Sequence, residues 1–64
     1  MRIVDGEKLN EFEIIIVQEY MAKHHPDVTD YTMAPGNECV WVWHGQINKY
    51  FIFRNGKLVD IQID

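Results

Sequence analysis

Asn55-Gly56 stands between two β-prone runs, Tyr50-Phe51-Ile52-Phe53 and Leu58-Val59-Asp60-Ile61-Gln62-Ile63. A type I′ turn needs positive φ at both central positions, and Asn-Gly accepts that conformation readily. The pair predicts a hairpin that matches Arg54 with Lys57, Ile52 with Val59, Tyr50 with Ile61 and Asn48 with Ile63. One turn earlier, Gly45-Gln46 suits a type II′ turn, which wants glycine first. It matches His44 with Ile47, Trp43 with Asn48, Trp41 with Tyr50 and Cys39 with Ile52. The stretch Cys39–Ile63 therefore reads as a three-stranded antiparallel meander.

Side chains alternate across a strand, so this register sorts them onto two faces. Cys39, Trp41, Trp43, Tyr50, Ile52, Val59, Ile61 and Ile63 share the face expected to form the core. Val40, Val42, His44, Lys49, Phe51, Phe53, Leu58, Asp60 and Gln62 share the back. A sheet wetted on its back should be polar there. This back keeps Val40, Val42, Phe51, Phe53 and Leu58 together, so both faces are apolar.

Upstream, Asp5 is a candidate helix N-cap with Glu7 in the first turn. A helix is expected from Glu7 to His24, stopped by Pro26, which disfavours helical geometry at His25. Leu9, Phe12, Ile16 and Tyr20 recur at helical spacing as the main stripe. Ile15 widens it on one side, and Ile14, Val17 and Met21 on the other. The apolar arc then spans roughly 260° of the wheel, broader than the stripe of an ordinary surface helix. Residues 29–33 read as a short strand. Ala34-Pro35-Gly36-Asn37 reads as the turn that folds it back beside Cys39–Trp43. The expected fold is α+β: one N-terminal amphipathic helix packed on a four-stranded antiparallel β-meander, αββββ, with Ile3-Val4 available as a short edge strand.

Sixty-four residues make one domain, 1–64. A chain this short buries only about 60% of its unfolded surface, so a lone core is marginal. Cys39 is the sole cysteine, which excludes an internal disulfide. The amino-terminal residues lack the long apolar run of a signal peptide, and Ile14-Ile15-Ile16-Val17 is too short to span a bilayer. With the free thiol, this leads to an expectation of a cytoplasmic protein that does not enter membranes.

The residues that carry chemistry elsewhere point to no catalytic centre here. Cys39 reads as a small core hydrophobe, because a reactive thiol needs an electropositive, partly exposed setting. His24 and His25 are neighbours and do not share a helical face, and His44 lies far off in a turn, so no metal site is expected. Glu7 with Glu11, and Asp60 with Asp64, are spaced for solvation as much as for acid–base work. The chain has no serine, which removes a serine-based triad. Its four glycines are isolated turn residues and form no phosphate loop. No cofactor and no enzymatic activity are expected.

An uncovered apolar face of several hundred Å² marks an interaction site. The expectation is a protein–protein interaction module, homodimeric through Val40, Val42, Phe51, Phe53 and Leu58. The helix flank at Ile14, Val17 and Met21 is the second candidate surface. A single-stranded nucleic-acid platform built from Trp43, Phe51, Phe53 and Lys49 is the alternative. Ten acidic residues against six basic ones, a formal charge of −4, weigh against that alternative. An inhibitor or adaptor acting on one cellular target is a third reading.

Overall fold

A computed structural model describes residues 1–63. Its elements are β1 (Arg2–Ile3), a 3₁₀ turn (Gly6–Lys8), α1 (Glu11–His24), β2 (Thr32–Pro35), β3 (Cys39–His44), β4 (Ile47–Arg54) and β5 (Lys57–Ile63). The strands form one sheet in the order β1-β2-β3-β4-β5. The fold is α+β, but the sheet is five-stranded and mixed, not a meander of four antiparallel strands. β1 lies parallel to β2, with Arg2 beside Thr32 and Ile3 beside Met33. Parallel neighbours need a long crossover, and α1 supplies it between these two strands. The Arg2 N–H donates to the Tyr31 carbonyl at 2.9 Å, and the Val4 N–H to the Met33 carbonyl at 2.8 Å.

The helix begins later than the apolar pattern suggests. Asn10 is the N-cap, and its side-chain oxygen accepts from the Phe12 N–H at 2.8 Å. That satisfies one of the donors a helix start leaves open. Asp5 instead sits at φ 52° ahead of the 3₁₀ turn and makes no side-chain cap. The Asn10…Glu13 spacing carries the capping signature that Asp5 lacks. At the other end, the His25 N–H donates to the Met21 carbonyl at 2.8 Å, and Pro26 follows.

β2 lies further along the chain than expected, at Thr32–Pro35, so Pro35 is in the strand and not in the turn. Thr32 and Ala34 bond toward β3, which leaves Pro35 facing the side where β1 has already ended. Its missing N–H therefore costs no ladder bond. The reversal falls at Gly36–Glu38, with Glu38 at φ 58° and the Gly36 N–H donating to the Cys39 carbonyl at 2.9 Å. A Cβ at Gly36 would lie 2.5 Å from the Cys39 sulfur, so a side chain there would require the thiol to turn away.

The β3–β4 hairpin has the expected register throughout, from His44 beside Ile47 to Cys39 beside Ile52. In the β4–β5 hairpin Arg54 pairs with Lys57, and Asn55 and Gly56 have φ of 53° and 76°, as a type I′ turn requires. Beyond Phe53–Leu58 the register shifts: Ile52 pairs with Asp60, not Val59, and Tyr50 with Gln62, not Ile61. Ile63 pairs with Lys49 rather than Asn48. Val59 is the extra residue of a β-bulge. Strict alternation would put Leu58 and Ile61 on opposite faces, because they are an odd number apart. The bulge brings both onto the side where the core lies.

The core joins Val17 and Met21 of α1 to Tyr31, Met33, Val40, Val42, Phe51 and Phe53. Leu9, Ile14, Ile16, Tyr20, Val28, Ile47, Leu58 and Ile61 pack around it. The face reading is thus reversed. The helix covers the side carrying Val40, Val42, Phe51 and Phe53, while Trp41, Trp43 and Tyr50 face away from it. The helix is also turned from its expected orientation. Val17 and Met21 point to the sheet, and Phe12 and Ile15 stand 74% and 49% exposed.

Candidate functional site

Among the described residues, none forms a second layer on the side of the sheet opposite α1. Three cross-strand rows compose it: Arg2, Thr32, Trp43 and Asn48; Ala34, Trp41, Tyr50 and Gln62; Cys39, Ile52 and Asp60. Trp41, Trp43, Tyr50, Ile52 and Cys39 are each only half-buried. Ala34 is buried even though it lies on the open side, directly across from Trp41 on the neighbouring strand.

The rings are ordered against one another. Trp41 and Trp43 lie with centroids 4.0 Å apart, and Trp41 stacks on Tyr50 at 6.0 Å with 12° between the planes. The Trp41 indole N–H donates to the Asn48 side-chain oxygen. Tryptophan buries an apolar body but needs a partner for its N–H, so it suits a surface with a polar neighbour in reach. Beside the rings, Asn37, Glu38, Cys39, Tyr50, Ile52, Arg54 and Gln62 line a shallow depression of about 370 Å³. Both signs of charge stand around the apolar centre, with Arg2 and Arg54 at some corners and Glu38 and Asp60 at others. Cys39 is not an activated thiol: burial pushes it up from its ordinary value of 9.0. Burial likewise pushes the Tyr31 hydroxyl up.

The side chains expected to form an interface lie elsewhere. Val40, Val42, Phe51 and Phe53 are buried under the helix, and Leu58 is half-buried at the edge of the same cluster. On the helix, Val17 and Met21 are buried in the core and Ile14 packs against it. The nucleic-acid platform is not assembled either. Phe51, Phe53 and Lys49 are on the helix side, and only Trp43 faces out. Lys49 is reconciled with burial by running beneath α1, its ammonium 5.7 Å from the centre of the Tyr20 ring. Tyr20 in turn stacks on His24 at 4.3 Å and meets Phe51 edge-on at 5.1 Å.

Trp41, Tyr50 and Ile52, the centre of the open face, share one face by register and alternation, but which of the two faces meets the helix is not set by alternation. The tryptophan N–H and its Asn48 partner two strand positions from Tyr50 were the available signals that this side stays wet. Among the described residues no group of three His, Cys, Asp or Glu side chains could hold a metal ion. Asp64, considered with Asp60 as a carboxylate pair, lies outside the described residues. No helix of the described chain is long and apolar enough to cross a membrane.

Fold and face together define a small two-layer α+β protein with one uncovered, aromatic side. Comparison with family models, with curated proteins and with solved structures finds no match to this chain.

Proposed function

We propose that this protein is a non-enzymatic protein–protein interaction module that self-associates through the open face of its sheet. Trp41, Trp43, Tyr50 and Ile52 form the centre of the contact. The observation that carries this reading is the row of ordered, half-exposed rings on the side that no helix covers. Apolar patches of that extent on small proteins mark places where a second body docks.

A second copy suits the face better than nucleic acid does. A phosphate backbone calls for clustered cations. This rim mixes Arg2 and Arg54 with Glu38 and Asp60, and a two-fold related copy can set each sign against its opposite. Strands of two, four, six, eight and seven residues, rising about 3.3 Å per residue and spaced about 4.8 Å, offer roughly 430 Å² in projection. Two such faces bury about 860 Å², the size of a weak contact and smaller than a standard interface. Association is therefore expected at micromolar concentrations. The free thiol fits a reducing compartment, and we place the protein in the cytoplasm.

Both tryptophans of the chain lie on this face, so the protein reports on itself. Dilution from high-micromolar to nanomolar concentration should shift tryptophan emission to the red as the rings become wetter. Emission that does not change over that range would remove self-association. Quenching by short oligonucleotides that weakens with salt would favour the nucleic-acid reading instead.

A further inference from the structure

The two edges of the sheet differ. On one side β1 is two residues long; on the other β5 runs for seven, and among the described residues no strand lies beyond it. Arg54 and Lys57 close a two-residue turn as a bonded pair, and bonded and non-bonded pairs alternate along an antiparallel ladder. Ile52 with Asp60 and Tyr50 with Gln62 therefore bond inward. Leu58, Ile61 and Ile63 turn their N–H and C=O groups outward. Such a row is a template for another strand.

The sequence of this edge is of the kind that uses the template. Leu58-Val59-Asp60-Ile61-Gln62-Ile63 is β-prone and free of proline, and Asp60 is its single charge. Val59 and Ile63 stand 54% and 74% exposed. Two features oppose pairing here. The bulge at Val59 bends the strand. The Asp60 carboxylate accepts the Ile61 N–H at 2.8 Å, occupying one of the outward donors. Residue 60 is also the midpoint of β5. Antiparallel pairing of two β5 strands about their centres would set Asp60 against Asp60, and like charges opposite one another repel.

We propose that the free edge of β5 is a docking edge for a second copy of this chain, and that Asp60 holds it shut. With that carboxylate gone, β5 pairs with β5 of another molecule and the sheet continues across the junction. The outward N–H and C=O groups of β5 lie in the plane of the sheet and not on the open face; Asp60 borders both, so the open face is silenced first and the two readings then fail separately.

The test uses the full chain carrying Tyr50→Lys, which silences the open face, with Asp60→Ala or Asp60→Lys added. Light scattering follows weight-average mass with time at one concentration, and circular dichroism checks folding. Asp60→Ala should rise toward twice its parent's mass and level off there, because β5 pairing with β5 uses up the one long edge of each molecule, while its parent stays constant. Asp60→Lys also loses the cap but restores a charge to the edge, and should stay at the parent's mass. An Asp60→Ala variant that keeps its parent's mass would overturn the proposal. So would growth of the Lys variant as fast as the Ala variant, because that would indicate general destabilisation and not an opened edge.

Discussion

Phe51 has no exposed surface and sits between the Tyr20 ring and the strands on either side. Truncating such a ring removes its burial and leaves a cavity, so Phe51→Ala should cost about 3–5 kcal/mol in urea unfolding. That is a large share of the ~5–15 kcal/mol that holds an ordinary domain together. Phe51→Asp should leave the chain unfolded, because an unpaired charge would replace the centre of the core. Cys39 gives a prediction with a sign. Its thiol is raised by burial above the ordinary 9.0, so the folded state holds the proton more tightly than the unfolded chain. Below that ordinary value both states are protonated and the contribution is complete. Stability should then fall as pH rises from about 9 through the folded value. Cys39→Ala should flatten that alkaline decline in thermal melts, and a decline that persists unchanged would assign it to Tyr31 or to other groups.

The elements rest on a few local devices. Asn10→Ala should cost about 1 kcal/mol through loss of the helix cap, whereas Asp5→Ala should cost little, since Asp5 makes no side-chain cap. Gly56 holds φ of 76° with open space around it, so Gly56→Ala meets no clash. Its cost should be the left-handed backbone alone, about 1–2 kcal/mol in chemical denaturation. The elements legible in the sequence are those written by such short-range devices: the Asn55-Gly56 turn, the Gly45-Gln46 register and the Pro26 stop. The short amino-terminal edge strand was legible at Ile3-Val4, but its parallel pairing with β2 was not, because two residues carry no period and the partner lies across the whole helix. The Val59 bulge was not, because alternation assumes one residue per position. Only the need to bring Leu58 and Ile61 to one side reveals the extra residue. The helix start was misplaced because Leu9 continues the apolar spacing backward past the Asn10 cap.

At the scale of the whole molecule, a single helix covers one side of a sheet that is apolar on both. The two-sidedness was legible from alternation; the covered side was not. Alternation says which residues share a face, and both faces carry aromatics, so the choice falls to packing. The flat Val40, Val42, Phe51 and Phe53 surface accepts α1, while the tryptophans keep a polar partner and a wet side. The exposed Phe12 and Ile15 on the outer helix offer a control, since they lie on the opposite side of the molecule from Trp41. Phe12→Lys should leave association unchanged, measured by dilution as above. Sedimentation equilibrium of the wild-type chain beside Tyr50→Lys, each with its fold verified, tests the central claim most directly. A dimer at micromolar concentration that Tyr50→Lys converts to a folded monomer is the predicted result. A wild-type monomer, or a Tyr50→Lys variant that dimerises as strongly as wild type, would contradict it.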